Sequence, residues 1–125
     1  MTTVPRAGAV LAGLLLLAAC AEPQSTPPHR VEGGDPLRGQ SLVRQYGCVS
    51  CHAVPGVPSV ENDRLAPDLE GFEDRYYIAG QLPNRPEELI RWLQDPPGIT
   101  PGTVMPDMGV SEQDARDIAA YLYDR

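Results

Sequence analysis

Five consecutive residues, Cys48-Val49-Ser50-Cys51-His52, carry the most specific chemistry in this chain. Two thiols three positions apart, followed directly by an imidazole, are what covalent haem attachment needs. Each sulfur adds to one of two vinyl groups on a porphyrin edge, and the histidine is then held under the iron. C-x-x-C also has duller uses. A closed zinc site takes four ligands, and outside the pentad the chain offers only Cys20 and His29 as further cysteine or histidine. A redox dithiol of the thioredoxin kind sits beside a strand-helix-strand alternation, which this sequence lacks. The pattern favours one covalent haem c with His52 on its iron, and the rival is a thiol-redox role for Cys48 and Cys51.

A second iron ligand has few candidates. Apart from Met1, the methionines are Met105 and Met108. Methionine usually fills core space, but Met105 stands in Pro101-Gly102-Thr103-Val104-Met105-Pro106, a loop between prolines with no helical face to fill. If the ligand is a thioether, the choice is between these two, and Met105 is the stronger. His29 lies in a stretch without periodicity and is expected to be solvated. Arg75, Tyr76 and Tyr77 offer cationic and phenolic donors suited to haem propionates, carboxylates that need partners when partly buried. A surface arginine and core tyrosines explain them equally well.

Short helices must position these groups. Asp35-Pro36 reads as an N-cap followed by proline at the first helical position, and Leu37, Leu42, Val43 and Tyr46 give an apolar stripe for a helix running to about Gln45. Gly39 inside that helix costs about 1 kcal/mol relative to alanine, so a close crossing by another helix is the expected compensation. Residues 53 to 71 read as irregular, punctuated by Pro55, Pro58, Pro67 and Gly71. Pro86-Glu87-Glu88 opens a helix whose apolar side is Leu89, Ile90, Trp92 and Leu93, and Asp95-Pro96-Pro97 ends it. Ser111 to Asp114 is close to a capping box. It starts a last helix with Ala115, Ile118, Ala119, Leu122 and Tyr121 on one face, the partner expected to cross at Gly39.

Composition narrows the function further. The chain has 125 residues, room for one domain, with 10 basic against 17 acidic side chains and no lysine. A basic patch for nucleic acid is absent, and the negative balance suits steering toward a positively charged partner. Residues 1 to 19 read as an export signal: Arg6 gives a minimal charged region, and Ala7 to Ala19 form an apolar run shorter than the roughly 20 residues a membrane helix needs. Leu17-Ala18-Ala19-Cys20 resembles the lipobox of bacterial lipoproteins, in which the cysteine is lipidated and becomes the new N-terminus. Residues 20 to 34 then form a proline-rich tether reaching on the order of 40 Å from a membrane surface, and the folded domain spans 35 to 125.

Taken together, Gly34-Asp35, Gly39, Cys48 to His52, Pro67-Asp68-Leu69-Glu70-Gly71, Trp92-Leu93 before Asp95-Pro96, Pro101 to Met105 and the terminal helix resemble a class I monohaem c-type cytochrome. The resemblance implies an all-α fold of about three to four helices and long loops wrapped around one haem. It implies His52 and Met105 as axial ligands, and the Pro67 carbonyl as acceptor from the His52 ring nitrogen facing away from iron. It also places Trp92 beside the methionine and Thr103 near a propionate. With both axial positions filled there is no vacancy for a small-molecule substrate, so the expectation is an electron carrier and not an enzyme. Its partners would be redox proteins, respiratory complexes on the periplasmic side of a bacterial membrane, with a haem subunit of a larger oxidoreductase complex as the alternative. The mitochondrial proteins ring their haem edge with lysines, which this chain lacks, so their partner choice does not carry over.

Overall fold

The computed structural model describes Met1, residues 29–59 and residues 65–124. Except for Met1, the expected export signal, Cys20 as the expected lipid-bearing residue and the expected tether as far as residue 28 lie outside the described residues. The rest is mostly helical. Helices α1 (Pro36–Gln45), α2 (Pro86–Gln94), α3 (Pro96–Ile99) and α4 (Glu112–Tyr123) are joined by long loops that contain 3-10 turns at Cys48–Ser50 and Phe72–Asp74 and a two-residue hairpin of β1 (Tyr77–Ile78) and β2 (Leu82–Pro83).

Helix α1 begins as its sequence requires. Asp35 Oδ1 accepts from the main-chain N–H of Leu37 at 2.9 Å and of Arg38 at 3.2 Å, and Pro36 occupies the first turn. Leu42 and Val43 are buried, but Leu37, expected in the same stripe, is 77% exposed. At 100° per residue, Leu37 lies about 140° around the helix from Leu42 and so faces away from the core.

The packing of α1 on α4 is the most extensive between helices, and Gly39 makes it possible. A Cβ built there would lie 2.0 Å from the Asp117 carbonyl oxygen and 2.8 Å from Tyr121 Cβ. Ala115, Ile118, Ala119, Tyr121 and Leu122 are all buried on the facing side of the core. Helix α2 packs on α4 as well, burying Leu89, Ile90, Trp92 and Leu93.

A polar clamp that no local pattern announces joins the same helices. Asp117 is 1% exposed. Its carboxylate accepts from Asp35 N at 2.9 Å, from Gln113 Nε2 at 3.0 Å and from the Arg38 guanidinium, so the buried charge is fully partnered. Asp114, one turn earlier, accepts from Tyr46 Oη at 2.6 Å and from Arg38. The Tyr46 hydroxyl and then Arg38 hold the Asp114 carboxyl below its ordinary range. A carboxyl whose folded-state value is depressed stabilises the fold above the unfolded value and loses that contribution as pH falls through the folded one. Asp114→Asn is therefore expected to destabilise at neutral pH and to flatten the loss of stability below about pH 4. Denaturant titrations at a series of pH values check this; parallel curves for the two proteins would contradict it.

Asp95 does more than end α2. Its side chain accepts from Gly98 N at 2.8 Å and so caps α3, a one-turn helix that the Pro96-Pro97 pair, read as a terminator, begins at its permissive first positions. Residues 29 to 34, assigned above to the tether, are laid on α4: Gln113 Nε2 donates to Gly33 O at 2.8 Å, Val31 packs on the core, and a Cβ on Gly34 would lie 2.7 Å from Ala120 Cβ. His29, expected to be solvated, instead stacks on Tyr123, with ring centroids 4.6 Å apart and planes 10° from parallel. An aromatic ring at the end of the last helix gives the imidazole a flat apolar face that the upstream sequence does not announce.

Candidate functional site

Gly47 leaves α1 in the left-handed region (φ 73°), and the chain coils at once into the Cys48–Ser50 turn. The amides of Cys51 and His52 both donate to the Cys48 carbonyl, at 3.2 and 2.9 Å, so the pentad is one compact coil. Neither cysteine is in a disulfide. Burial pushes the half-buried Cys48 thiol up, with Cys51 adding to the effect, whereas the attacking thiol of a dithiol oxidoreductase is activated by a lowered value. No group of three or more His, Cys, Asp or Glu among the described residues is placed to hold a metal ion, so the zinc reading finds no ligand set there.

The histidine is oriented from behind. His52 Nδ1 donates to Pro67 O at 2.6 Å. A carbonyl can only accept, so the proton of the neutral ring sits on Nδ1 and Nε2 keeps its lone pair for a metal. The loop bearing Pro67 is itself tied down. Leu69 N donates to Ala53 O at 2.9 Å, Glu70 N to Asp68 Oδ1 at 2.9 Å, and Arg75 Nη2 to the Asp68 carbonyl and to Glu70 O, the latter at 3.2 Å. Arg75, put forward above for propionates, thus braces the loop behind His52, with its guanidinium carbon 5.8 Å from the Phe72 ring centroid.

Met105 and Met108 are both partly buried against the core. Thr103 Oγ1 accepts from Met105 N at 3.3 Å, and Thr103 N donates to Thr100 O at 3.1 Å, so the methionine loop is fixed directly after α3. The Met108 methyl would be 3.9 Å from a Cβ at Gly47, a packing position against the end of α1. Trp92 is buried in the core, while Tyr76 and Tyr77 are exposed. Asn84, a buried carboxamide, is not announced by the sequence. Its only signal was an amide directly before Arg85-Pro86, which reads as an ordinary loop residue.

The donor set fits a covalently held haem. An unpaired dithiol on one coil precedes a histidine whose Nε2 is left available. The segments on either side carry apolar side chains that are largely exposed among the described residues: Leu65 is 75% exposed and Val104 89% exposed. Apolar surface of that size in the two loops bearing Pro67 and Met105 is what a flat apolar group would cover.

Fold and site together define a domain built to hold haem through a C-x-x-C-H coil. The cytochrome c family model matches residues 37–124, and the chain belongs to that family, as a class I c-type cytochrome with one covalently bound haem c that serves electron transfer. It is similar to cytochrome c oxidase subunit 2 of Alkalihalophilus pseudofirmus, at 35% identity over 86 residues covering 68% of this chain and 24% of that protein. It is similar to cytochrome c oxidase subunit 2 of Bacillus subtilis, at 36% over 87 residues covering 69% and 24%. Similarity to cytochrome c2 of Rhodomicrobium vannielii is 29% over 100 residues, covering 71% of this chain and 78% of that one. The chain therefore spans about a quarter of the length of the oxidase subunits it matches.

Proposed function

We propose that the protein is a single-electron carrier between respiratory partners, held at the periplasmic face of a membrane through a lipid on Cys20, with His52 and Met105 as the axial iron ligands. The observation that carries the ligand assignment is the His52 Nδ1 to Pro67 O bond of 2.6 Å, which leaves Nε2 as the metal-binding atom. The haem supplies a one-electron ferric–ferrous couple. Around it the chain does three things. Cys48 and Cys51 anchor the group, and Pro67 and Thr103 hold the imidazole and the methionine loop in place. The packed core of α1, α2 and α4, with Trp92 within it, keeps rearrangement small when the charge changes. The hydroxyls of Tyr76 and Tyr77 offer donors for the propionates, while Arg75 is engaged in bracing the Pro67 loop. With two protein ligands on the metal there is no place for a substrate, and the protein is a carrier and not an enzyme.

A second reading has a specific observation behind it. The oxidase subunits contain a stretch similar to this chain, which favours a fixed electron-entry module of a larger oxidoreductase complex. Purification from membranes in mild detergent separates the two: co-elution with a stoichiometric complex supports the module, and elution alone supports the carrier.

A visible and pyridine-haemochrome spectrum of purified protein tests the core of the proposal. A six-coordinate low-spin spectrum that carbon monoxide perturbs slowly is expected, and a colourless preparation from cells able to mature such proteins would end it. For the anchor, Cys20→Ser is expected to release the protein from membranes or leave it uncleaved. Retention unchanged after signal removal would count against lipidation.

A further inference from the structure

We infer that Asn84 is a positioning residue for the His52 ring, acting through Arg75; the inference rests on the reading above that His52 takes the iron. Asn84 is 6% exposed, and its polar atoms are engaged in all directions. Its main-chain N–H donates to Tyr76 O at 3.0 Å. Its Nδ2 donates to Phe72 O at 2.8 Å and to Arg75 O at 3.0 Å, and its Oδ1 accepts from Tyr123 Oη at 2.7 Å. Among side chains, only a carboxamide brings two donors and an acceptor on one planar head. Packing alone does not call for one there, since an apolar side chain of the same size would fill the space.

What these bonds fix is the main chain from Phe72 to Tyr76, the base from which the Arg75 side chain departs. Its guanidinium then holds the carbonyls of Asp68 and Glu70. One residue upstream, Pro67 O receives the His52 Nδ1 proton. The run of bonds is unbroken from the end of α4 to the imidazole. At its far end Tyr123 is held between Phe72, at 5.6 Å between ring centroids, and His29, at 4.6 Å. Burial, and then the Glu87 carboxylate, push the Tyr123 hydroxyl up, so it stays a donor to Asn84 at physiological pH. A hydrogen bond to the far nitrogen of a ligating histidine fixes ring orientation and raises its basicity. Loosening that bond weakens donation to the iron, favours the ferrous form and shifts the reduction potential upward.

The test uses the purified holoprotein and three variants: Asn84→Ala, Tyr123→Phe, which removes only the bond to Oδ1, and Leu89→Ala, a buried residue of α2 outside this run that serves as a matched core lesion. Two quantities are read in each: hydrogen exchange of the His52 Nδ1–H in the ferrous protein by NMR, and the reduction potential. Asn84→Ala is expected to speed the exchange about tenfold, the equivalent of one net hydrogen bond, and to shift the potential upward. Tyr123→Phe is expected to move both the same way by less, which keeps the test alive if Asn84→Ala does not mature. If neither variant moves either quantity, or if Leu89→Ala moves both as far at equal loss of stability, Asn84 is a packing residue and the inference is wrong. A wild-type NMR spectrum with no iron-bound imidazole would instead remove the parent reading, and this inference with it.

Discussion

Replacing Met105 with alanine is expected to abolish the weak iron–sulfur charge-transfer absorption of the oxidised protein and to lower its reduction potential by on the order of 0.1 V or more. That is part of the roughly 0.8 V range over which axial ligands set haem potentials. A thioether is a neutral, soft donor that favours the ferrous form, so its loss stabilises the ferric form by comparison. Met108→Ala is the control. Its side chain is partly buried against the core, with its methyl beside Gly47, and its removal is expected to cost some stability while leaving absorption and potential largely intact. The reverse pattern would transfer the ligand role to Met108. Because Thr103 Oγ1 accepts the Met105 amide, the loop itself should survive the Met105 substitution.

Gly39→Val is expected to destabilise the protein by about 3 kcal/mol or more, a large share of the 5–15 kcal/mol that typically separates folded from unfolded states. Away from a contact, filling a mid-helix glycine with alanine would gain about 1 kcal/mol, and with valine a fraction of that. The sign inverts here because the new Cβ would lie 2.0 Å from the Asp117 carbonyl oxygen and 2.6 Å from its carbon. Those are backbone atoms of α4 and cannot swing aside, so the helices must separate. That separation would also pull Arg38 and Asp35 from the buried Asp117 carboxylate. Chemical denaturation of the holoprotein measures the effect. Equal midpoints for the valine variant and the parent would show that the helices do not cross where they are placed.

Local chemistry made much of this protein legible before any coordinates. Asp35-Pro36 and Pro86-Glu87-Glu88 announce helix starts because caps and first-turn prolines act within a few residues. The α2 face of Leu89, Ile90, Trp92 and Leu93 repeats at helical spacing and is buried as read. Leu37 was misplaced because a stripe of four residues tolerates one at the wrong angle, and only the phase of the whole helix removes it. The strap at residues 29 to 34 and the hairpin at Tyr77 to Pro83 escaped because neither has a periodicity of its own. Their order comes from what lies opposite, α4 for the first and α2 for the second.

Chemistry that needs only neighbours is written along the chain: a pentad whose five residues are contiguous, one covalent haem, and helices whose caps and apolar faces lie within a single stretch. Tertiary structure alone decided which distant groups meet. It set the Arg75 guanidinium on the carbonyls of Asp68 and Glu70, where it braces the Pro67 loop. It also buried Asp117 and Asn84 with their partners. Those outcomes depend on contacts between residues 5 to 82 positions apart, and a hydrogen-bond partner outside a regular element leaves no mark on the local spacing of either residue.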